Sequence, residues 1–335
     1  RTGQLNTGDL DYTDPSEMSG ALVGAYNAFS TRGWEEPLLL AVRGDDVNAG
    51  GLGDQQPFAD TDNFIYNNGY WMYNSLWNLH YSDIIDLNTA IVQLQRYREF
   101  MEGEDDLRAQ QYIAEVRVLR AWLHLNVAKT WEDVFIYRTN NPFEEIEANG
   151  VSSKEEVMQF IIDEMDEAIP NLPNVRPNER TDFPGGVTAY TAYALKAMAN
   201  LELENYQGVA DAAGEIINSG RFSLYPDFYQ LFKIPGELSN ESLLEMQFDE
   251  LGSDVGGTFY HNFAPFGPQG WTPARENASS GWGFFEPSMK YIKFMLDRNE
   301  TVRLETSVLF TDRGINELNE DGYTDLPAFV SNTTP

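Results

Sequence analysis

The sequence predicts an all-α, mainly helical fold with long irregular loops and a few short strands. Apolar residues recur at spacings of three and four through several long stretches, which is the period of a helix with one buried face. The segments between these stretches are rich in Gly, Asn and Pro, which interrupt regular structure. A chain of 335 residues with 42% hydrophobic side chains can bury a large core and does not have the composition of a disordered protein.

The clearest pair of helices lies within residues 187–232. Apolar residues fall on one helical face from Tyr190 onward and again from Val209 onward. The short polar link at 204–208 requires the second helix to return antiparallel to the first. Many of the residues on both faces are alanines, so the two backbones can approach closely. These features predict a helical hairpin of the tetratricopeptide (TPR) type.

Three further segments, 14–31, 73–131 and 152–169, show the same helical period. The first begins with an aspartate–proline cap, and the last begins with serines that have glutamates three residues later. The middle segment is long enough for two helices, which we expect to turn at Glu102-Gly103. Together with 187–232, these segments form the predicted TPR-like scaffold.

The two long helices carry polar residues among apolar ones. Asn88 interrupts an apolar face, so we expect its amide to bond to a neighbouring backbone. Glu115, Arg117 and Arg120 crowd the middle of the second long helix, where we expect a partly buried ion-pair network. We assign Trp77 to the core because it lies on the apolar face.

The helical pattern weakens after Phe232. Residues 242–248 could form a short strand, and Glu286-Pro287 could open one more helix. From Thr306 onward the sequence predicts no regular element. We therefore interpret 249–335 as a loop-rich, ligand-binding region that stops short of a natural C-terminus.

The charge of the chain restricts its partners. It has 22 Lys and Arg against 53 Asp and Glu, a net charge of −31, and no basic stripe, so we expect no nucleic acid partner. The absence of cysteine excludes disulfides and thiolate metal sites. The longest apolar run, near Pro37 to Val42, is far shorter than the ~20 residues that span a bilayer. No leader sequence precedes Arg1, so we interpret the chain as mature or trimmed. This interpretation says nothing about whether the protein is exported.

Two features bear on metal binding. The loop at 43–56 is crowded with Asp, Asn and Gly like a calcium loop, but Gly50 occupies a ligand position, so turns and helix caps are the alternative to calcium. The three histidines lack the spacing of a zinc site, and His80 and His124 fall within predicted helices. We predict no cofactor, and calcium is the one metal whose binding remains an alternative.

Several motifs occur in the order of a known family. They are DPSEMSGALVGAYNAF from Asp14, Arg43-Gly44-Asp45, W-x3-Y-x2-I-x3-N from Trp77, E-x-R-x-L-R-A from Glu115, the stretch from Ser153 to Pro173, and the helix pair from Gly186 to Met246. In these motifs the chain resembles the SusD/RagB family of glycan-binding outer-membrane lipoproteins of Bacteroidetes. It departs from the family at Glu132, where glycine is usual, and at Val187, where arginine is common.

The resemblance implies a single SusD-like domain over 1–335, in which a TPR-like frame supports loops that hold a glycan without cleaving it. It also implies a surface-exposed position on the outer membrane, through a lipid anchor on an upstream cysteine outside this chain. The implied partner is a SusC-like TonB-dependent transporter, which receives the oligosaccharide during polysaccharide utilisation and nutrient uptake. Members of the family usually run on past this length.

Two aromatic regions, 64–77 and 259–285, are the candidate glycan sites. Rings stack on the apolar faces of sugars, while Asn, Asp and Arg side chains bind the hydroxyls. The resemblance adds the Arg-x-Asp segment. The candidate binding residues are Arg43, Asp45, Asn68, Tyr70, Trp71, Tyr260, His261, Trp271 and Trp282.

Two other classes of protein remain as alternatives. An all-helical glycoside hydrolase would also be acidic and rich in aromatics, and it needs two carboxylates across the scissile bond. Glu276 and Glu286 are the acids nearest to the aromatic loops, and Glu286 before Pro287 is typical of a helix cap. The second alternative is a TPR module that binds peptides. If the ligand is a glycan, the charge of −31 favours a neutral one.

Overall fold

The computed structural model describes residues 10–30, 35–50, 56–248 and 282–330, and the structural statements below concern these residues. They form thirteen α-helices and one sheet of two antiparallel strands, which confirms the predicted all-α fold. No described helix has the length and apolar character needed to cross a membrane.

The regular elements follow one another along the chain, with short 3-10 turns at Ile169–Asn171, Pro177–Glu179 and Ile234–Gly236. In order they are α1 (Met18–Ser30), α2 (Glu35–Ala41), β1 (Val47–Ala49), α3 (Gln56–Asp62), α4 (Trp71–Arg98), α5 (Glu104–Trp131), α6 (Pro142–Asn149), α7 (Lys154–Ala168), α8 (Ala189–Glu202), α9 (Tyr206–Asn218), α10 (Phe228–Leu231), β2 (Phe285–Pro287), α11 (Met289–Asp297), α12 (Thr301–Ser307) and α13 (Asp312–Glu320).

The chain divides into two compact units, each built from separated stretches of sequence. The first unit takes residues 1–32, 77–224 and 238–248, and the second takes 33–76, 225–237 and 249–335. The first therefore holds most of the long helices, whereas the second holds the strands, the short helices and the start of α4.

In the first unit, α4 and α5 form the predicted antiparallel pair. Arg98 at the end of α4 and Asp106 in the first turn of α5 are joined by an ion pair of 2.7 Å. Farther from the turn, an Arg120 guanidinium nitrogen donates to the side-chain oxygen of Asn88 over 2.6 Å. Gly103 takes φ +59° at the turn, a conformation that glycine adopts without a steric penalty.

The hairpin of α8 and α9 is also present. Asn205 caps α9 by accepting a hydrogen bond from the Gly208 N–H over 3.2 Å. A Cβ at Gly208 would lie 2.2 Å from the side-chain oxygen of Asn200 on α8, so the close approach of the two helices needs glycine there. α7 begins with the predicted capping box, in which Ser153 and Glu156 bond to each other's backbone over 3.2 and 2.8 Å.

The core of the first unit lies between these helices. Met18, Ile84, Leu94 and Leu119 are each at most 1% exposed, and burial of one such side chain contributes about 1.5–3 kcal/mol. Trp77 packs against this core with its ring centroid 4.7 Å from that of Tyr81, as predicted for a core residue.

The buried polar groups find partners on distant segments. Asn88 donates to the Tyr137 and Thr139 carbonyls over 3.0 and 2.7 Å, which confirms that its amide serves the backbone. The expected partly buried ion-pair network on α5 is present, and its partners lie on other segments. Glu115 pairs with buried Arg180, Arg117 and Arg120 both pair with Glu164, and Arg117 also pairs with Glu167.

The second unit contains a small sheet in which Val47 pairs with Pro287 and Ala49 with Phe285. Its C-terminal helices enclose a separate cluster of buried apolar residues, among them Ile292 and Leu304. A bond from the Gly50 N–H to the Phe284 carbonyl, 3.0 Å long, extends the pairing beyond the strands.

Three local predictions are corrected by the structure. Residues 242–248 do not form a strand, although the Glu245 N–H bonds to the Gly185 carbonyl over 2.9 Å. Glu286-Pro287 lies in β2 rather than at a helix start, and Ser288 caps α11 instead. Beyond Thr306, where no element was expected, α13 forms; with nine residues it is too short for a clear period.

Candidate functional site

The described residues include six of the nine candidate binding residues. Tyr260, His261 and Trp271 lie outside them. The other six all belong to the second unit, so they can be placed relative to one another. They are Arg43, Asp45, Asn68, Tyr70, Trp71 and Trp282.

A row of five rings, which we call the aromatic shelf, occupies the stretch before and at the start of α4. Neighbouring ring centroids along it are 5.2–6.5 Å apart, and all four contacts are edge-to-face. Such contacts stabilise the rings relative to one another. In order of contact, the shelf consists of Phe64, Tyr66, Tyr73, Tyr70 and Trp71.

Three of these rings face solvent. Phe64 is 61% exposed, Tyr66 55% and Trp71 46%, and such a cluster of exposed rings is a typical binding surface. Tyr70 is only 4% exposed, and its hydroxyl donates to the Met72 sulfur over 2.8 Å. The buried ring of Tyr70 packs edge-to-face against Trp71, so little of this predicted binding residue is open to a ligand in the structure.

The local sequence explains why Trp71 points outward. The side-chain oxygen of Asn67 accepts from the Gly69 N–H over 2.9 Å, and its carbonyl accepts from the Tyr70 N–H over 2.9 Å. This turn delivers the chain to the first residue of α4, which is Trp71. The first turn of a helix then places consecutive side chains on different faces, so Met72 is fully buried while Trp71 is not.

Hydrogen bonds fix the shelf to regular elements of the second unit. The hydroxyls of Tyr73 and Thr61 are hydrogen-bonded, which ties the shelf to α3. Asp62, the next residue of α3, accepts from the Ala49 N–H of β1 over 3.0 Å. A site supported by helices and strands holds its geometry better than one on loops alone.

Arg43 is a candidate polar residue whose charge acts on the shelf at Tyr73. Burial raises the pKa of the Tyr73 hydroxyl, and the positive charge of Arg43 acts on that hydroxyl in the opposite direction. The Arg43 Nε is shielded from solvent and has no hydrogen-bond partner among the described residues. Because this Nε is shielded, the terminal nitrogens of the half-buried guanidinium are the donors left for a hydroxyl of a bound ligand.

Asp45 and Trp282 lie at opposite ends of the two-stranded sheet. Asp45 precedes β1, and its exposed carboxylate pairs with the exposed ammonium of Lys290. Trp282 precedes β2, which runs antiparallel to β1, so it falls near Gly50 at the other end. The half-buried ring of Trp282 packs on Phe284 at 5.7 Å between centroids. The structure thus brings Arg43 to the shelf and separates Asp45 from Trp282.

Phe64, Ile65 and Tyr66 were not among the candidate residues. Ile65 is 61% exposed, like Phe64, and both directly precede exposed Tyr66 in the sequence. The signal that could have found them is their position after the last turn of a helix, where bulky apolar residues cannot all be buried.

The other expected features of this region are placed as follows. Within the described ranges, no three His, Asp or Glu side chains come together as a metal site would require; part of the candidate calcium loop, 51–55, lies outside those ranges. Glu286, considered as a catalytic acid, is an exposed residue of β2 opposite Asn48, and Glu276 lies outside the described residues.

Comparison with known proteins gives consistent matches. A family model described as starch-binding and associating with the outer membrane, SusD-like, matches residues 52–198. A SusD-like protein of Formosa agariphila is 23% identical over 177 residues, and one of Bacteroides ovatus is 25% identical over 187 residues. Each alignment covers 52% of this chain but only 32% and 33% of the respective relative, so the chain spans about a third of the curated relatives that it matches.

Solved structures share the fold. Surface glycan-binding protein A from Bacteroides thetaiotaomicron, solved in complex with laminarihexaose, superposes with a TM-score of 0.71 at 23% identity. The match covers 93% of this chain and 67% of that one. The family model over residues 52–198, the two relatives and the common fold together show that this chain is similar to SusD-like proteins.

Proposed function

We propose that the protein is a non-catalytic, cell-surface glycan-binding protein. It captures oligo- or polysaccharide and delivers it to a SusC-like TonB-dependent transporter in the outer membrane. A lipid anchor upstream of this chain attaches the protein to that membrane. The observation that carries the proposal is the aromatic shelf, where Phe64, Tyr66 and Trp71 are 61%, 55% and 46% exposed.

The geometry of the shelf suits a sugar polymer. Its three exposed rings belong to one chain of ring contacts, so a long ligand can contact more than one of them. Each flat ring can stack on the C–H face of a sugar, and Arg43 can donate to hydroxyls at the edge. Because hydrogen bonds hold Tyr73 to α3, little ordering is required when the ligand binds.

Binding without cleavage is consistent with the acids near this surface. Hydrolysis requires two carboxylates across the scissile bond, one of them free to protonate the leaving oxygen. Asp45 is engaged by Lys290, and Asp62 accepts the Ala49 N–H. These two acids therefore have structural contacts of their own.

A neutral glycan is the ligand class that we propose. The chain's net charge of −31 repels uronate and sulfated polymers, although salt limits this repulsion to about 8–10 Å. Because the Bacteroides thetaiotaomicron relative was solved with laminarihexaose, that oligosaccharide is the first ligand to test. Maltohexaose and alginate serve as a second neutral and an anionic comparison.

We expect Trp71→Ala to weaken binding of the preferred neutral oligosaccharide by about 10-fold or more, since stacking on one ring contributes ~1–3 kcal/mol. Isothermal titration calorimetry measures the affinity, and Trp71→Phe should retain part of it. The matched control is Tyr206→Ala, which removes a ring that is 67% exposed in the first unit. Equal affinity in wild type and Trp71→Ala, with thermal unfolding unchanged, would remove the shelf from the site.

Two further measurements address catalysis and delivery. Incubation with each glycan that binds should release no reducing sugar, and release by the purified protein would make it a hydrolase. Co-expression with a SusC-like transporter of the same organism should yield a complex that survives purification from membranes. Recovery of the protein only from the cytoplasm, without the transporter, would contradict the proposed location and partner.

A further inference from the structure

A groove of about 440 Å³ opens in the first unit, and the glycan proposal does not involve it. The groove lies among the end of α7 with its following turn, the first turn of α8 and the last turn of α9. Leu172, Tyr190, Tyr193, Glu215 and Asn218 are among the residues that line it. All belong to one compact unit, so their relative positions are defined.

Two tyrosines form one wall of the groove. Tyr190 is 5% exposed, and its ring is held edge-on against Phe222 with 5.1 Å between centroids. Tyr193, three residues later on α8, is half-buried on the same side of the helix. Leu172, 7% exposed, contributes an apolar surface. The groove thus combines fixed aromatic and aliphatic surfaces.

Four polar side chains of the groove have no hydrogen-bond partner among the described residues. Neither tyrosine hydroxyl forms a hydrogen bond with any described residue, and the same holds for the side chains of Glu215 and Asn218. Tyr190 is the most informative, because its side chain is buried while its hydroxyl still lacks a protein partner. Such groups are available to a ligand.

The groove has a negative electrostatic character. It includes the last turn of α9, whose carbonyls carry the negative end of the helix dipole, and that turn contains no basic residue. Glu215 adds a full negative charge. Burial makes the largest contribution to the raised pKa of the Tyr193 hydroxyl, and the Glu215 carboxylate raises it further. The nearest basic side chain acting on Tyr193, Lys196, is itself paired with Asp166. A cation therefore suits the groove better than an anion.

We propose that this groove binds an alkyl ammonium group, either of a free diamine or of a lysine side chain in a peptide. The ammonium lies between the Glu215 carboxylate and the tyrosine rings, where ionic and cation–π attraction add. The aliphatic chain lies against Leu172. The proposal does not depend on glycan binding, which involves residues of the other unit.

The test is a titration of the whole chain with cadaverine, monitored by ligand-detected NMR and calorimetry. Cadaverine should bind in the millimolar range or tighter, and 1,5-pentanediol, its neutral isostere, should bind at least threefold more weakly. Glu215→Gln should weaken cadaverine binding by roughly 3–10-fold. A blocked Gly-Lys-Gly peptide, titrated in parallel, shows whether lysine side chains enter as well as free diamines.

The matched control is Asp211→Asn, which removes an exposed acid one turn earlier on α9 that bonds to Gln207 and does not line the groove. Its affinity for cadaverine should equal that of wild type. The proposal is overturned if neither ammonium probe binds, if pentanediol binds as well as cadaverine, or if Asp211→Asn weakens binding as much as Glu215→Gln. Laminarihexaose binding, measured on the same samples, reports on the glycan site separately.

Discussion

Replacement of Arg180 by methionine is expected to lower the free energy of unfolding by about 3–5 kcal/mol, because it leaves a buried carboxylate without its counter-charge. The side chains of Arg180 and Glu115 are 1% and 0% exposed, and their charged atoms are 2.8 Å apart. The Tyr26 hydroxyl donates to the same carboxylate over 2.5 Å, and it accepts from the Val187 N–H over 2.8 Å. The ion pair and the Tyr26 hydroxyl together thus join α1, α5 and the segment that leads into α8.

Urea unfolding followed by circular dichroism measures this effect. The control is Lys293→Met, which removes one partner of the solvent-accessible pair with Asp321 and should leave the urea midpoint close to that of wild type. The double variant Arg180→Met with Glu115→Met should be more stable than Arg180→Met alone, because it leaves no unpaired buried charge. If the free energy of unfolding of Arg180→Met is within about 1 kcal/mol of the wild-type value, the pair does not hold these segments together.

The second large effect concerns His124, which is fully buried in α5. Its Nε2 accepts from the Tyr137 N–H over 3.1 Å, so its Nδ1 must carry the proton that it donates to the Arg120 carbonyl over 2.9 Å. This assignment of the tautomer follows from the hydrogen-bond partners. Burial lowers the pKa of His124 to about 3, and the positive charges of Arg120 and Arg138 act in the same direction.

This lowered pKa makes stability depend on pH. Well above pH 6.5 the imidazole is neutral in both the folded and the unfolded state, so it does not change the free energy of unfolding. Between about pH 6.5 and pH 3, only the unfolded chain takes up the proton. Stability therefore falls as pH decreases from about 6.5 towards 3, by up to about 1.4 kcal/mol per pH unit. In His124→Gln this contribution is absent.

Urea unfolding at pH 7 and pH 5 tests the prediction for His124. Between these values wild type should lose about 2 kcal/mol more stability than His124→Gln, since the carboxylates titrate alike in both proteins. The glutamine amide oxygen can still accept the Tyr137 N–H, so the variant is expected to fold. Equal losses in the two proteins would show that the imidazole does not stay neutral in the folded state.

The elements that could be predicted from sequence are those with local signals. α5 and the hairpin of α8 and α9 have long apolar periods, and the structure confirms them. The sheet could not be predicted, because Val47 and Pro287 are far apart in sequence and each strand has only three residues. The ion-pair partners of Glu115 and Arg120 could not be predicted either, because these partners lie on other segments that are far away in sequence.

The candidate site divides in a similar way. The density of aromatic residues and asparagines identified 64–77, which contains the aromatic shelf. The sequence could not distinguish exposed Trp71 from buried Tyr70, because the direction of both side chains depends on the residue at which α4 begins. The separation of Asp45 from Trp282 follows from the register of the sheet, which only the structure supplies.

The division of each unit into separated stretches has a consequence for biosynthesis. The first unit is complete only when residues 238–248 join it, for example through the bond from Glu245 to Gly185. The second needs β2 to pair with β1. During translation, α1 and β1 must therefore wait for partners that leave the ribosome much later. We expect the nascent chain to depend on chaperones that shield its apolar surfaces until the last strand has emerged.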